Sequence, residues 1–511
     1  MNGAAYILVV MGIFIAKGLG FFRDMVFART FGATELTDIY FTIFTLVNLI
    51  FTGIGTAMQT LVIKRMNKAS GEAEQKKFVT DFIRGSAVIL TIAAAVMAVF
   101  AKPLTRILVP GVSEANFPLA VNITYVMLPS LIFVVLAYII SGVLQNNRVF
   151  FITSVMSLPF NVILIAALFF PGVDIFTLSV VTTIGWFLHI VVQLPNFYRL
   201  GYRMFIGSGG LKLGLGGNKE VLLIFISNMM FQACFLLDKI AVSGSEGAST
   251  TITYASNLFV TIASVFVVAM SNVVFPSISQ NYEEGKTDYV RKLIQYIILT
   301  MFAIFVPFIL TVSCFGENVI ALVYERGEFT PDLTARTAML FTIYTLGVLG
   351  YLAQELFNKV LYLDAKYKYT VIGTIAVVAM KLIYNVTLGM RLGVEAVVTA
   401  TTVLFTIYAV NVALAMKKTI GNYLDKVQLI RLGKVLLSGA LALAAYFIMK
   451  LAAPGITAVK PAIFDAAIAN KLVFLGPLLV CGTVYAIAML ALGVVKDILA
   501  RPEAGKSQKE N

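Results

Sequence analysis

The sequence predicts an all-α integral membrane protein with fourteen transmembrane helices, and three observations lead there. Hydrophobic residues make up 59% of the 511 and charged ones 13%, a balance outside that of soluble globular domains. Fourteen apolar stretches are each long enough to cross a hydrocarbon core of roughly 30 Å, which takes about 20 residues per helix. Lys and Arg alternate between loops: with the first residue inside, 24 of the 39 fall in inside loops and the C-terminal tail, 10 outside and 5 within spans. Positive loops resist translocation, so both termini are expected to be cytoplasmic.

In order, the stretches lie near 4–22, 36–63, 82–101, 118–144, 150–171, 175–197, 220–243, 250–276, 290–315, 337–363, 369–390, 393–416, 432–452 and 471–495. The first has no basic segment before it and no small-residue cleavage site after it, so it is expected to be retained as a helix. The second runs into an inside loop carrying Lys64, Arg65, Lys68, Lys76 and Lys77. The sixth precedes Arg199, Arg203, Lys212 and Lys219, and "GGLKLGLGG" at 209–217 reads as a flexible linker because no Gly-Lys-Ser/Thr is present. The net charge of +13 serves topology and attraction to anionic lipid. No basic soluble module is left to carry nucleic-acid binding. Cys234, Cys314 and Cys481 each sit in an apolar stretch and form neither a disulfide framework nor a metal pattern.

"AMQTLVI" at 57–63 parallels "AMSNVVF" at 269–275, and "LTRILVPG" at 104–111 aligns with "VIALVYER" at 319–326. Two six-helix lobes in pseudo-twofold parallel repeat are therefore expected, enclosing a V-shaped central cavity, with two further helices at the C-terminus. The boundaries are 1–198 for the N-lobe, 199–219 for a cytoplasmic linker, 220–417 for the C-lobe and 418–511 for the last helices and tail.

An ionisable group at the bilayer centre costs on the order of 3 kcal/mol or more, so such groups face a cavity or one another. On the first helix Lys17 and Asp24 are seven apart and share a face, with Arg23 about one residue's rotation away and Gly18 and Gly20 between. Two readings stay open: cations pointing into a cavity, or Arg23 and Arg29 reaching to headgroups with Asp24 and Asp38 as ion-pair partners. His189 is read as a packed, hydrogen-bonded core residue, and Glu355 with Lys359 as an i, i+4 pair.

"GFFRDMVFARTFGATELTDIYF" (20–41) resembles the first-helix signature of the MurJ-type lipid II flippases. These form the mouse-virulence-factor family of the multidrug/oligosaccharidyl-lipid/polysaccharide exporter superfamily. "SGVLQNNRVFF" (141–151), "LLDKIAVS" and "TYASNLF" (236–259), "VVFPSISQ" (273–280) and "VYERGEFT" (323–330) carry the likeness through most of the first ten helices. The resemblance implies a flippase that moves lipid II, a polyprenyl diphosphate bearing a disaccharide-pentapeptide, from the inner to the outer leaflet of the bacterial cytoplasmic membrane. It implies phosphate contacts at Lys17 and Arg23, with Asp24 and Asp38 orienting them or sensing closure. Family members place an arginine soon after the second-helix Asn-Leu pair, whereas here Asn48 and Leu49 lead to Ile50 and Phe51. Another arginine, after the eighth-helix Tyr-Ala pair, is replaced by Asn257, following Ser256, and the upstream first-helix arginine is Lys17. A cavity with fewer guanidinium groups leaves a different polyprenyl-diphosphate-linked glycan, or a cation-coupled multidrug exporter, as alternatives.

Asp238, Lys381, Asn385 and Thr401 form a second group. It is either an ion pair or, since superfamily relatives couple to Na⁺ or H⁺, a cation site. No cofactor is expected, with coupling to membrane potential or a Na⁺ or H⁺ gradient. The expected partners are the lipid-linked glycan, membrane lipids and cell-wall synthesis proteins, the chain being a monomer. A membrane enzyme is disfavoured by one histidine and no Asp-x-Asp pair.

Overall fold

A computed structural model describes residues 3–69, 71–204, 223, 226, 229–269, 274–363, 366–452 and 474–500. In chain order the helices are α1 (Gly3–Phe31), α2 (Glu35–Leu46), α3 (Thr52–Met66), α4 (Glu72–Val99), α5 (Ala101–Leu108), α6 (Phe117–Met127) and α7 (Ser130–Asn146). Next come α8 (Phe151–Ser154), α9 (Leu158–Leu168), α10 (Ile175–Val191), α11 (Leu194–Arg199), α12 (Met230–Ala241), α13 (Ala248–Ala269) and α14 (Phe275–Glu283). Then follow α15 (Thr287–Tyr324), α16 (Pro331–Leu346), α17 (Val348–Leu363), α18 (Tyr367–Tyr384), α19 (Met390–Leu392), α20 (Val394–Ile420), α21 (Lys426–Ala452), α22 (Leu475–Ala491) and α23 (Val494–Leu499). Each of the fourteen expected stretches contains helix. Among the described residues ten helices are long and apolar enough to cross a membrane, or eleven if the bent pair α16–α17 is one span. The 209–217 linker and most of the repeat segment 269–275 lie outside the described residues.

Two compact units form. Unit 1 holds Met1–Tyr254, Arg326–Thr330 and Thr374–Val397; unit 2 holds Ala255–Glu325, Pro331–Gly373 and Val398–Asn511.

In lipid no hydrophobic force separates one apolar helix from the tails around it, so close packing through small residues decides which faces meet. In unit 1, α3 lies along α7 at Gly55 and Gly142: a Cβ on Gly55 would sit 2.7 Å from Tyr138 Cδ2, and one on Gly142 would sit 2.9 Å from the Gln59 carbonyl oxygen. Gly55→Ala should therefore push the Tyr138 ring and destabilise the fold by about 1–3 kcal/mol, read as a lower melting temperature in detergent. Two helices of this unit carry a π-helical turn, Val47–Phe51 between α2 and α3 and Asn385–Gly389 after α18.

Unit 2 contains the 38-residue α15, with Pro307 inside it and a break from helical geometry at Phe315. Its α16 and α17 meet at a 44° bend, where the Thr402 hydroxyl donates to the Ile343 carbonyl (3.0 Å), satisfying an acceptor at the break. Asp425 starts α21 by accepting the Gln428 N–H at 2.7 Å, and that bond to the charged form holds its carboxyl below the usual carboxylate range.

Candidate functional site

On α1, Arg23 turns toward α9. Its guanidinium donates to Asp24 Oδ1 from Nε (3.0 Å) and Nη2 (2.6 Å), and to Asn161 Oδ1 from Nη1 (3.1 Å). The Phe160 ring lies below it at 5.6 Å. Asn161 is held in turn by donating to the Ser157 carbonyl (3.1 Å). Asn161 also packs beside Gly20, where a Cβ would make ordinary van der Waals contact with its amide at 3.7 Å. Arg23 thus lies inside unit 1 with Asp24 as its ion-pair partner, the pairing that the headgroup-reaching alternative expected, and Arg29 is exposed.

Lys17, six residues earlier, differs. Its side chain lines a cavity of about 520 Å³ between α1, α7 and the 150–157 segment around α8. Among the described residues it makes no hydrogen bond or ion pair.

Asp38 does not pair with an arginine. It is buried and caps the first turn of α13: Gly247 N donates to Oδ2, and Thr250 N and Oγ1 donate to Oδ1, all at 2.7 Å. A carboxylate at a helix N-terminus meets unsatisfied N–H groups and the positive end of the dipole. Around it the α1–α2 turn is gripped twice more: Tyr254 OH donates to the Gly32 carbonyl (2.8 Å) and Glu328 N to the Arg29 carbonyl (2.9 Å). Gly32 has φ +60°, and a side chain there would meet the Glu328 carbonyl oxygen at 2.7 Å.

Asp238 and Lys381 meet as an ion pair. Lys381 Nζ lies 2.6 Å from Asp238 Oδ1 and donates to the Val397 carbonyl at 2.6 Å, with both side chains fully buried. Asn385 opens the π-helical turn, donates to the Leu237 carbonyl (2.9 Å), and leaves its buried Oδ1 without a hydrogen-bond partner among the described residues. Thr401 is buried in unit 2.

Asn48 is half-buried in the other π-helical turn, and Asn257 is half-buried on the unit 2 part of α13. His189 packs against Phe160 and Trp186 as expected. The hydrogen bonds expected for it are absent, since neither ring nitrogen has a partner among the described residues. Sequence reasoning missed Asn161 and the cap partners of Asp38, and it counted Lys239 among the charges within spans without giving it a role. Asn161 was visible as the polar residue of "LPFNVILIAAL". Lys239, buried and donating to Thr45 Oγ1 at 2.6 Å, is a charge that the pairing of Asp238 with Lys381 left unexplained. The cap partners Gly247 and Thr250 carried the signal of a Gly-Ala-Ser-Thr helix start.

The family model described as "Lipid II flippase MurJ" matches residues 27–458. This chain belongs to the MurJ lipid II flippase family. It is 25% identical over 384 residues to a probable lipid II flippase MurJ of Buchnera aphidicola subsp. Schizaphis graminum, covering 70% of this chain and 72% of that one. It is 25% identical to the lipid II flippase MurJ of Burkholderia cenocepacia over 68% of this chain and 71% of the relative. A solved MurJ structure in an inward closed conformation superposes with a TM-score of 0.78 at 21% identity, over 96% of this chain and all of the other. That likeness gives the fold, an all-helical multi-pass membrane protein of the MurJ kind.

Proposed function

We propose that this chain moves lipid II, a polyprenyl diphosphate carrying a glycan, from the inner to the outer leaflet of the bacterial cytoplasmic membrane by alternating access and without bond chemistry. The single observation that carries this reading within the family is Lys17: a lysine on the apolar helix α1 that makes no hydrogen bond or ion pair among the described residues and lines a cavity of mixed polar and apolar walls. An intramembrane cation of this kind is stable only beside an anion or water, and a diphosphate shedding its hydration supplies the anion. Growth rescue tests it: the chain should sustain a bacterium whose own lipid II flippase is withdrawn, and Lys17→Met should not.

Arg23→Ala should abolish rescue while Arg29→Ala stays close to wild type, at equal expression. Arg23→Lys should be a partial defect, because one ammonium cannot span Asp24 and Asn161 as the fork does. Equal, normal growth of the two alanine variants would sink the role of Arg23.

The charge asymmetry supports cytoplasmic termini. In a background with the native cysteines replaced, a membrane-impermeant maleimide added to intact cells should label Glu114→Cys and spare Glu284→Cys. The reverse pattern would invert the topology. The Asp238–Lys381 geometry supports transport that needs no sodium, the lysine serving as a tethered cation.

A further inference from the structure

We propose that the cavity beside Lys17 is the subsite for the sugar joined directly to the diphosphate, and that Tyr138 and Ser157 are its specificity-determining residues. The inference rests on the flippase reading above and deepens it. At about 520 Å³ the cavity falls within the range of roughly 300–1,000 Å³ usual for small-molecule pockets. It lies wholly within unit 1.

Its walls divide by chemistry. Val9, Ile13 and Ala16 on α1 with Phe150 give apolar surface, while Tyr138, Gln145 and Ser157 face them with a phenol, an amide and a hydroxyl. Gln145 is held in place, accepting from Gln59 Nε2 (3.0 Å) and donating to Thr153 Oγ1 (3.4 Å). Tyr138 OH and Ser157 Oγ make no side-chain hydrogen bond among the described residues, nor are they among the buried polar atoms that lack partners. Both residues line the cavity, and a phenol and a hydroxyl can each donate and accept.

That set suits a neutral polyol. Sugar hydroxyl and acetamido groups pair with groups that both donate and accept, and the C–H faces of a pyranose pack on aliphatic and aromatic walls. Lys17 is the one charged residue of the lining, and no carboxylate accompanies it. A cationic drug would meet repulsion there with no counter-charge. A phosphate held by Lys17 is covalently one atom from the anomeric carbon, so the attached ring must fall within reach of the opposite wall. The ammonium then binds the phosphate, and the phenol and hydroxyl read what it carries.

The test uses the full-length protein in sealed proteoliposomes and two probes: polyprenyl diphosphate bearing one N-acetylhexosamine, and the bare polyprenyl diphosphate. Wild type should move the glycosylated lipid faster. In Tyr138→Phe/Ser157→Ala the ratio of glycosylated to bare lipid moved should fall about tenfold, as expected for two lost hydrogen bonds. Lys17→Met should slow both lipids together. A double variant that folds, transports and keeps the wild-type ratio overturns the proposal, as does a wild type that moves both lipids at one rate; in either case the flippase reading survives. A wild type that moves neither lipid overturns both.

Discussion

Asp238→Asn is expected to lower the melting temperature of the purified protein by many degrees, and adding Lys381→Met to it should recover most of the loss. The reason is the geometry of a fully buried pair. Lys381 Nζ sits 2.6 Å from both Asp238 Oδ1 and the Val397 carbonyl oxygen. Removing the carboxylate charge strands an ammonium in a medium that cannot hydrate it, at about 3–5 kcal/mol. Replacing both charges by neutral groups removes that penalty, since a buried pair and a well-packed apolar pair have similar stability. The same geometry predicts a gain of function. Lys381→Asn withdraws the ammonium from between Asp238 and the Val397 carbonyl, leaving oxygen atoms of the kind a hard monovalent cation prefers. Sodium should then raise the melting temperature of this variant in a concentration-dependent way, as any ligand of the native state does. It should leave wild type unmoved. A sodium requirement for wild-type transport would remove the tethered-cation reading.

Asp38→Ala should release the start of α13. The carboxylate accepts three donors, Gly247 N, Thr250 N and Thr250 Oγ1, each at 2.7 Å. Losing an N-terminal cap costs about 0.5–2 kcal/mol, and the buried, charge-assisted character of these bonds puts this case near or above the top of that range. Hydrogen exchange at the Gly247 and Thr250 amides should accelerate by a factor on the order of 30 to 100, which corresponds to about 2–3 kcal/mol of local opening. Asp38→Asn should fall between, because an amide oxygen still caps a helix but carries no charge. The turn 29–38 is also held by Tyr254 and Glu328, so the protein should remain folded while growth rescue fails. Unchanged exchange at both amides in Asp38→Ala would show that the cap bears no weight.

Legibility divided along a physical line. Class and the approximate places of the helices follow from the length and polarity of each stretch, which are local properties; helix ends such as Phe31, Glu72 and Tyr324 lie well beyond the expected stretches, and ten to eleven helices among the described residues are long and apolar enough to span, against fourteen expected. The ion pair of Asp238 with Lys381 was also within reach, because two opposite charges in apolar helices have few alternatives to each other. The Gly-Phe-x-Arg-Asp run pointed to the family, which the match over 27–458 established.

Orientation about each helix axis was not readable. A soluble helix declares its buried face through an amphipathic pattern, but a helix whose surroundings are as apolar as its neighbours has no such pattern to declare. Which way Arg23 turned was decided by its bond to Asn161, 138 residues farther along the chain. The partner of Asp38 was decided by the start of α13, 212 residues away, and Lys239 found Thr45 across 194. By itself the sequence determined that this is a polytopic helical membrane protein of this family with a small set of buried charges. Only the tertiary structure decided which charges neutralise one another and that Lys17 remains to face a cavity, because those pairings join residues far apart in the chain and no periodic signal along it marks them.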